Sequence, residues 1–263
     1  MKQPTFFLSH GGGPWPFMDG DYRRAHARLE AALQALPATL PEQPRAILMV
    51  SAHWEEAAFT VSTSPAPGLL YDYGGFPPHT YALRYPAPGD PALAERVAAR
   101  VAAAGLPVAR DAGRGLDHGA FCTLVPMHPQ ADMPVVQLSL RQGLDPAEHL
   151  ALGRALAPLR DDGVLILGSG FSFHNLRLYG PAGREPSAQF DAWLQTALPA
   201  PEGRAGRLQA WARAPAARLA HPREEHLLPL MVAAGAAEGD AATCIYHETG
   251  FFGGVTASSF RFG

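Results

Sequence analysis

The chain has 263 residues, 47% of them apolar, and a formal charge of −3. That length buries one large core or two small ones, and a charge so near zero favours neither nucleic acid nor an anionic membrane surface. No apolar run approaches the roughly 20 residues of a membrane span, the first residues lack a signal-peptide pattern, and Cys122 and Cys244 make no disulfide framework; a reducing cytoplasm is the expected compartment.

The first apolar run, Phe6-Phe7-Leu8-Ser9, ends in His10, and Gly11-Gly12-Gly13-Pro14 cannot continue a strand. Over Tyr22–Leu36 the spacing of Ala25, Leu29, Leu33 and Leu36 predicts a helix, with His26 solvated among its charges. Ala46–Ala52 reads as a second strand running into His53, and Phe59–Ser62 as a third. Tyr71–Tyr81 is loop by its Gly and Pro content yet crowded with aromatics, as in a lid over a site or a packed Ω-loop. Asp90 caps a helix over Pro91–Ala104, which Gly105 ends, and a short strand surrounds Val108. Asp117-His118-Gly119 then opens a helical stripe of Phe121, Leu124 and Val125 that Pro126 is expected to cut.

Val135–Leu140 is a strand, Pro146–Ala157 a helix capped by Asp145, and Val164–Leu167 a strand leading through Gly168-Ser169-Gly170 to His174. Leu178–Pro222 is helical but weakly patterned. Pro222, Glu224 and Glu225 suit the start of another helix, with Leu227, Leu230, Met231 and Ala234 as its buried stripe. Thr243–Tyr246 and Val255–Phe262 close the chain as strands. Strands alternating with helices imply one α/β domain over residues 1–263, with a largely parallel central sheet flanked by helices. Such sheets carry their sites at the carboxyl edge of the strands.

That edge is where the histidines fall. His10, His53 and His174 follow strands, His226 lies in the expected first turns of a helix, and four imidazoles so placed can converge on one metal ion. No HExxH or CxxC motif appears, so the ligands are dispersed along the chain. His118, behind the capping Asp117, sits where the helix dipole favours the neutral imidazole suited to proton transfer. His79, His128, His149, His221 and His247 have no such context and read as structural or solvated, and Cys122 as a small buried hydrophobe.

Seven segments stand in a telling order: Ser9-His10-Gly11-Gly12, Ser51-Ala52-His53-Trp54, Asp72-Tyr73-Gly74-Gly75-Phe76-Pro77, Leu116-Asp117-His118-Gly119, Gly168-Ser169-Gly170, His174-Asn175-Leu176-Arg177 and Glu225-His226-Leu227-Leu228-Pro229-Leu230. From about residue 6 to residue 262 the chain resembles the class III extradiol ring-cleavage dioxygenases of the LigB superfamily, most nearly the 4,5-DOPA extradiol dioxygenase branch. The resemblance implies a mononuclear metal site that cleaves a catechol beside, not between, its hydroxyls, with a small aromatic substrate and O₂ as partners. Carried over by position, His10, His53 and His226 are metal ligands. His174 matches the acid/base histidine and in this branch also counts toward the metal, while His118 matches a second active-site histidine.

One departure matters. The better-known iron members use two histidines and a carboxylate, whereas His226 holds the third place here, with Glu225 beside it. An all-histidine set suits Zn(II) as well as the Fe(II) that activity needs, and zinc is redox-inert. Tyr73, Phe76 and Arg177 are the candidates for substrate binding, with Tyr71 and Trp54 as further ring-stacking candidates and Arg84 and Arg114 as rival cations. Two other readings stay open at this level: a zinc-dependent hydrolase on the same histidines, and a non-enzymatic binding protein of the related Memo type. A homo-oligomer is compatible with everything above.

Overall fold

Residues 1–263 are described by a computed structural model. In chain order, β1 (Thr5–Ser9) leads to α1 (Gly20–Arg24) and α2 (Ala27–Ala35), then β2 (Ala46–Glu56) and β3 (Phe59–Ser62) lead to α3 (Pro91–Ala103). Next come β4 (Val108–Asp111), α4 (His118–Met127), β5 (Val135–Arg141), α5 (Pro146–Leu156) and β6 (Val164–Gly170). Four helices follow, α6 (Arg184–Ala197), α7 (Arg204–Gln209), α8 (Ala217–Ala220) and α9 (Leu228–Ala236), before the closing hairpin of β7 (Ala242–Phe251) and β8 (Val255–Phe262).

The eight strands form one sheet in the order β4-β3-β5-β2-β6-β1-β8-β7. Its centre, β5-β2-β6-β1, is parallel. β3 joins β5, and β8 joins β1, in antiparallel sense. The central strands are buried on both faces, which is why they read as unbroken apolar runs rather than alternating ones. Register sets the site. Ser51 pairs with Ser169, and Ser9 with Gly170, so β1, β2 and β6 reach the same edge together.

Side chains alternate along β6, and its last turn of sequence uses both faces. Ser169 Oγ donates to Gly119 O of α4 at 2.6 Å. Gly168 and Gly170 face the other side, where α9 and the segment before it press close. A Cβ on Gly168 would sit 2.3 Å from Pro229 O, and one on Gly170 only 2.2 Å from His226 O. α9 is apolar all round and every residue is buried, as befits a helix covered on all sides.

Four local expectations are corrected. β2 does not stop before His53; after an irregularity past Val50 it pairs again, Glu55 with Leu140 and Glu56 with Arg141, so His53 lies within the strand. The helix over Tyr22–Leu36 is two helices, α1 and α2, and His26 at their junction is fully buried rather than solvated. It stacks on Trp15 with centroids 5.0 Å apart, and both ring nitrogens are bonded to backbone, so it fastens the glycine loop instead of facing water. Pro126 does not cut α4, which runs to Met127. Pro126 removes one donor near the helix end, and His128 N still reaches Leu124 O at 2.7 Å. Finally, α9 starts at Leu228, not at Pro222. The carbonyl of His226 accepts from Phe171 N at 3.0 Å, so it ties this segment to the exit of β6 and leaves the helix to begin after it.

Candidate active site

Five histidines meet at the carboxyl edge. His53 Nε2 lies 3.2 Å from His10 Nε2 and 3.3 Å from His226 Nε2. Nitrogens bound at 2.0–2.1 Å around one tetrahedral ion are about 3.3 Å apart, which is the spacing of each of these two pairs. His118 packs beside His53, ring centroids 4.0 Å apart, and His174 stacks on His226 at 3.3 Å. Two sets of donor atoms, one from His10, His53 and His118 and one from His174, Glu225 and His226, each fall within 4.8 Å of one another. The His53–His226 contact joins them.

Each imidazole is oriented from behind through Nδ1. Ser169 Oγ, whose proton goes to Gly119 O, accepts from His10 Nδ1 at 3.1 Å. Asp72 serves two rings, accepting from His118 Nδ1 at 2.9 Å and pairing with His53 Nδ1 at 3.3 Å; it also takes the His118 backbone N–H at 2.9 Å. Glu225 does the same on the other side, with His226 Nδ1 at 3.0 Å and His174 Nδ1 at 3.3 Å. An Nδ1 that donates leaves the Nε2 lone pair free, which is the outer-shell pattern of metal-binding histidines. Asp117 caps α4 through Ala120 N at 3.0 Å and takes Ser51 Oγ at 2.7 Å, placing His118 in the first turn.

The electrostatics suit ligation. Burial, reinforced by neighbouring histidines, holds His10 and His226 well below the usual imidazole range. Burial, then the charge of His118, lowers His53 to about 3. Neutral imidazole is the ligand form. Burial by itself would push Asp72 and Glu225 up, but hydrogen bonds and charge from His118 and His174 bring both below the usual carboxylate range.

A cavity of about 350 Å³ opens over these rings, lined by all five histidines, Gly11–Gly13, Tyr22, Leu176, Tyr179 and Phe252. A slightly larger one, about 400 Å³, lies between Pro65–Leu69 and Leu83–Pro88; it contains Arg84 but no titratable cluster. The Tyr71–Tyr81 loop lies against the histidine face. Tyr73 meets His118 edge-on at 5.8 Å, and Phe76 packs on Tyr22 and against Gly13, whose absent side chain makes room for its ring. Both stand behind the cavity lining. Arg177 is exposed, one residue beyond Leu176. Arg114 is committed elsewhere: it donates to His53 O at 3.0 Å, pairs with Asp117 and lies over Trp54. Asp72 and Ser169 stand inside quoted motifs without any sequence signal of their own, and Glu225, visible beside His226, orients two imidazoles instead of taking a ligand's place. Tyr22, Tyr179 and Phe252 carry no sequence signal of a shared wall.

Residues 4–263 match the family described as the catalytic LigB subunit of aromatic ring-opening dioxygenase. The chain is 41% identical to the dioxygenase tasH of Hapsidospora irregularis, with 89% of this chain and 78% of that protein covered. It is 40% identical to a 4,5-DOPA dioxygenase extradiol of Beta vulgaris, covering 98% and 96%, and 35% identical to the protein of that name from Escherichia coli strain K12, covering 100% and 95%. A crystal structure of an uncharacterized Escherichia coli K12 protein superposes with a TM-score of 0.77 at 31% identity over 99% of this chain and 100% of that one. With a family match along its whole length, relatives at 40% identity and a histidine cluster fit for metal, the chain belongs to the LigB family of metal-dependent aromatic ring-opening dioxygenases and is an oxygenase enzyme.

Proposed function

We propose that the protein opens a catechol-type ring, DOPA-like or otherwise substituted, by extradiol cleavage with O₂, and that His10, His53 and His226 hold one divalent metal. The observation that carries this reading is the pair of Nε2 spacings of 3.2 and 3.3 Å on rings whose Nδ1 atoms are already engaged. Fe(II) held there would supply the redox-active centre that oxygen chemistry needs; Zn(II) would suit the same nitrogens without supporting that chemistry.

The protein's own part is proton handling and orientation. His174 and His118 line the cavity, and each keeps Nε2 free because Glu225 or Asp72 occupies Nδ1. His174 is the acid/base that takes a hydroxyl proton from the catechol and later returns one, and its stacking on His226 leaves it near enough to serve as an added ligand. His118, fixed at two atoms by Asp72, assists. Tyr73 and Phe76 shape the site from behind His118 and Gly13, and Arg177 meets an acidic tail only where it leaves the cavity. Two unpaired cysteines, one of them exposed, accord with a reducing cytoplasm; no helix is long and apolar enough to cross a membrane.

The test is the absorbance change when a panel of catechols is added to iron-reconstituted protein with and without air. Coloured ring-opened products that need O₂ support the reading. A product formed equally without O₂ would point to hydrolysis and overturn it.

A further inference from the structure

We propose that the cavity wall not made by histidines is an apolar subsite that selects catechols bearing an uncharged aromatic or branched apolar group, and that Phe252 sets its shape. The inference rests on the catechol reading above and names the substrate class within it.

The wall is built by Tyr22 of α1, Leu176 and Tyr179 of the turn after β6, and Phe252 at the tip of the β7–β8 hairpin. No Lys, Arg, Asp or Glu lines the cavity. The Tyr22 hydroxyl is already used, donating to Gly12 O at 3.0 Å. The adjoining wall is the glycine loop, which lines the cavity with backbone because the places a side chain would take at Gly11 and Gly13 are filled from behind by Trp15 and Phe76. The space is therefore a slot with an aromatic wall, suited to a planar group.

Two features mark the wall as awaiting an apolar partner. Leu176 is 66% exposed at the cavity although it is a large hydrophobe. An apolar substituent entering the slot would cover it, which is favourable in proportion to the area removed from water. Phe252 has φ of 45°, in the left-handed region that bulky residues avoid. Glycine would fit that turn without strain, yet a phenyl ring stands there, held by Tyr22 at 5.6 Å, His26 at 5.0 Å and Tyr179 at 5.8 Å. Strained residues kept by their packing gather at ligand sites.

Charge argues the same way. The carboxylates nearest the cavity floor, Asp72 and Glu225, are anionic and bound to histidines. A carboxylate on the substituent would enter the slot without a cation to meet it, at the cost of its hydration. Arg177, exposed next to Leu176, does not line the cavity.

The experiment compares catechol, phenyl-substituted catechol and 3,4-dihydroxyphenylacetate. Fe(II)-loaded protein gives kcat/KM, and Zn(II)-loaded protein gives Kd by titration calorimetry without turnover. The phenyl compound is expected to exceed both others by about 10-fold, and Phe252→Ala to cut the phenyl-to-catechol ratio by about 3- to 10-fold, the worth of an aromatic contact. Leu176→Ser, at an exposed position where folding is not at stake, should lower the same ratio. Preference for the dihydroxyphenylacetate, or a ratio unmoved in both variants, overturns the subsite. If the Zn(II) protein binds the three in the expected order but no ring is opened, the subsite stands and the ring-opening reading fails. Absence of both binding and turnover overturns both.

Discussion

Gly170→Ala tests how backbone packing builds the metal site. The new Cβ would lie 2.2 Å from the carbonyl oxygen of His226. Ordinary C···O contacts begin near 3.3 Å, so the two backbones must part by about 1 Å. The His226 ring rides on that backbone, and metal–ligand distances tolerate only about ±0.2 Å. Moving one of three proposed ligands by several times that tolerance should weaken metal binding about 10- to 100-fold and lower the rate about 100-fold. Overpacking costs about 1–3 kcal/mol, a fall in Tm of roughly 3–10 °C for a chain of this size. Gly235→Ala is the control, because its Cβ would meet Leu150 O at 2.3 Å between α5 and α9, away from the histidines. Metal content, Kd and Tm measured side by side on both variants decide the matter. Gly235→Ala should lose Tm and keep metal, while Gly170→Ala should lose both. A Gly170→Ala protein with full metal and wild-type turnover would refute the reasoning, as would equal metal loss in the control.

His174→Ala should lower ring cleavage by roughly 10²–10⁴-fold while retaining much of the iron, whereas His10→Ala or His53→Ala should empty the site; equal metal loss in all three would make His174 a plain ligand. Asp72→Asn should weaken metal binding about 10- to 100-fold without touching a ligand, since Asp72 orients His53 and His118; an unchanged Kd would discount the carboxylate. Acid should unfold the protein through two buried histidines of like design. His26 and His149 each donate Nδ1–H to the carbonyl four residues back (2.8 and 2.7 Å) and accept a backbone N–H at Nε2 (3.2 Å each), and burial lowers both to about 4. The unfolded imidazole titrates near 6.5, so below that pH the unfolded chain binds the proton first and stability falls toward pH 4 by roughly 3 kcal/mol per group. Urea midpoints at pH 7.5 and 5 in the wild type and His149→Gln should show a smaller acid loss in the variant; equal losses would speak against the mechanism.

What the sequence exposes and what it conceals follow from range. His10 and His174 are legible because each stands where an apolar strand run gives way to Gly or a turn, a signal contained in a few residues; His53 is found by the end of its apolar run, although β2 continues through it to Glu56. The parallel centre is legible for the same reason. His26 is misread because its local surroundings are charged, while the Trp15 ring that stacks on it arrives from another segment. Asp72 and Glu225 are visible as acidic residues within motifs, yet their sharing of two histidines each depends on a loop and a turn folding back over the sheet edge. Gly170 explains itself only when the His226 carbonyl is placed against it. The start of α9 is misjudged because Pro222 and two glutamates make a good local helix signal, and a single long-range bond to Phe171 N overrules it.

The position of β1 between β6 and β8 also sets an order of events during synthesis. Thr5 pairs with Ile166 on one side and Phe262 on the other. β1 thus waits for β8 through roughly 250 further residues, about 10–50 s at 5–20 residues per second. The proposed ligands are spread from His10 to His226, so no early fragment of the nascent chain holds the whole set. An ion that requires them all is not a seed for folding in the manner of a zinc finger. Under the proposed ligand set, binding waits until segments roughly 200 residues apart in sequence have come together at the sheet edge.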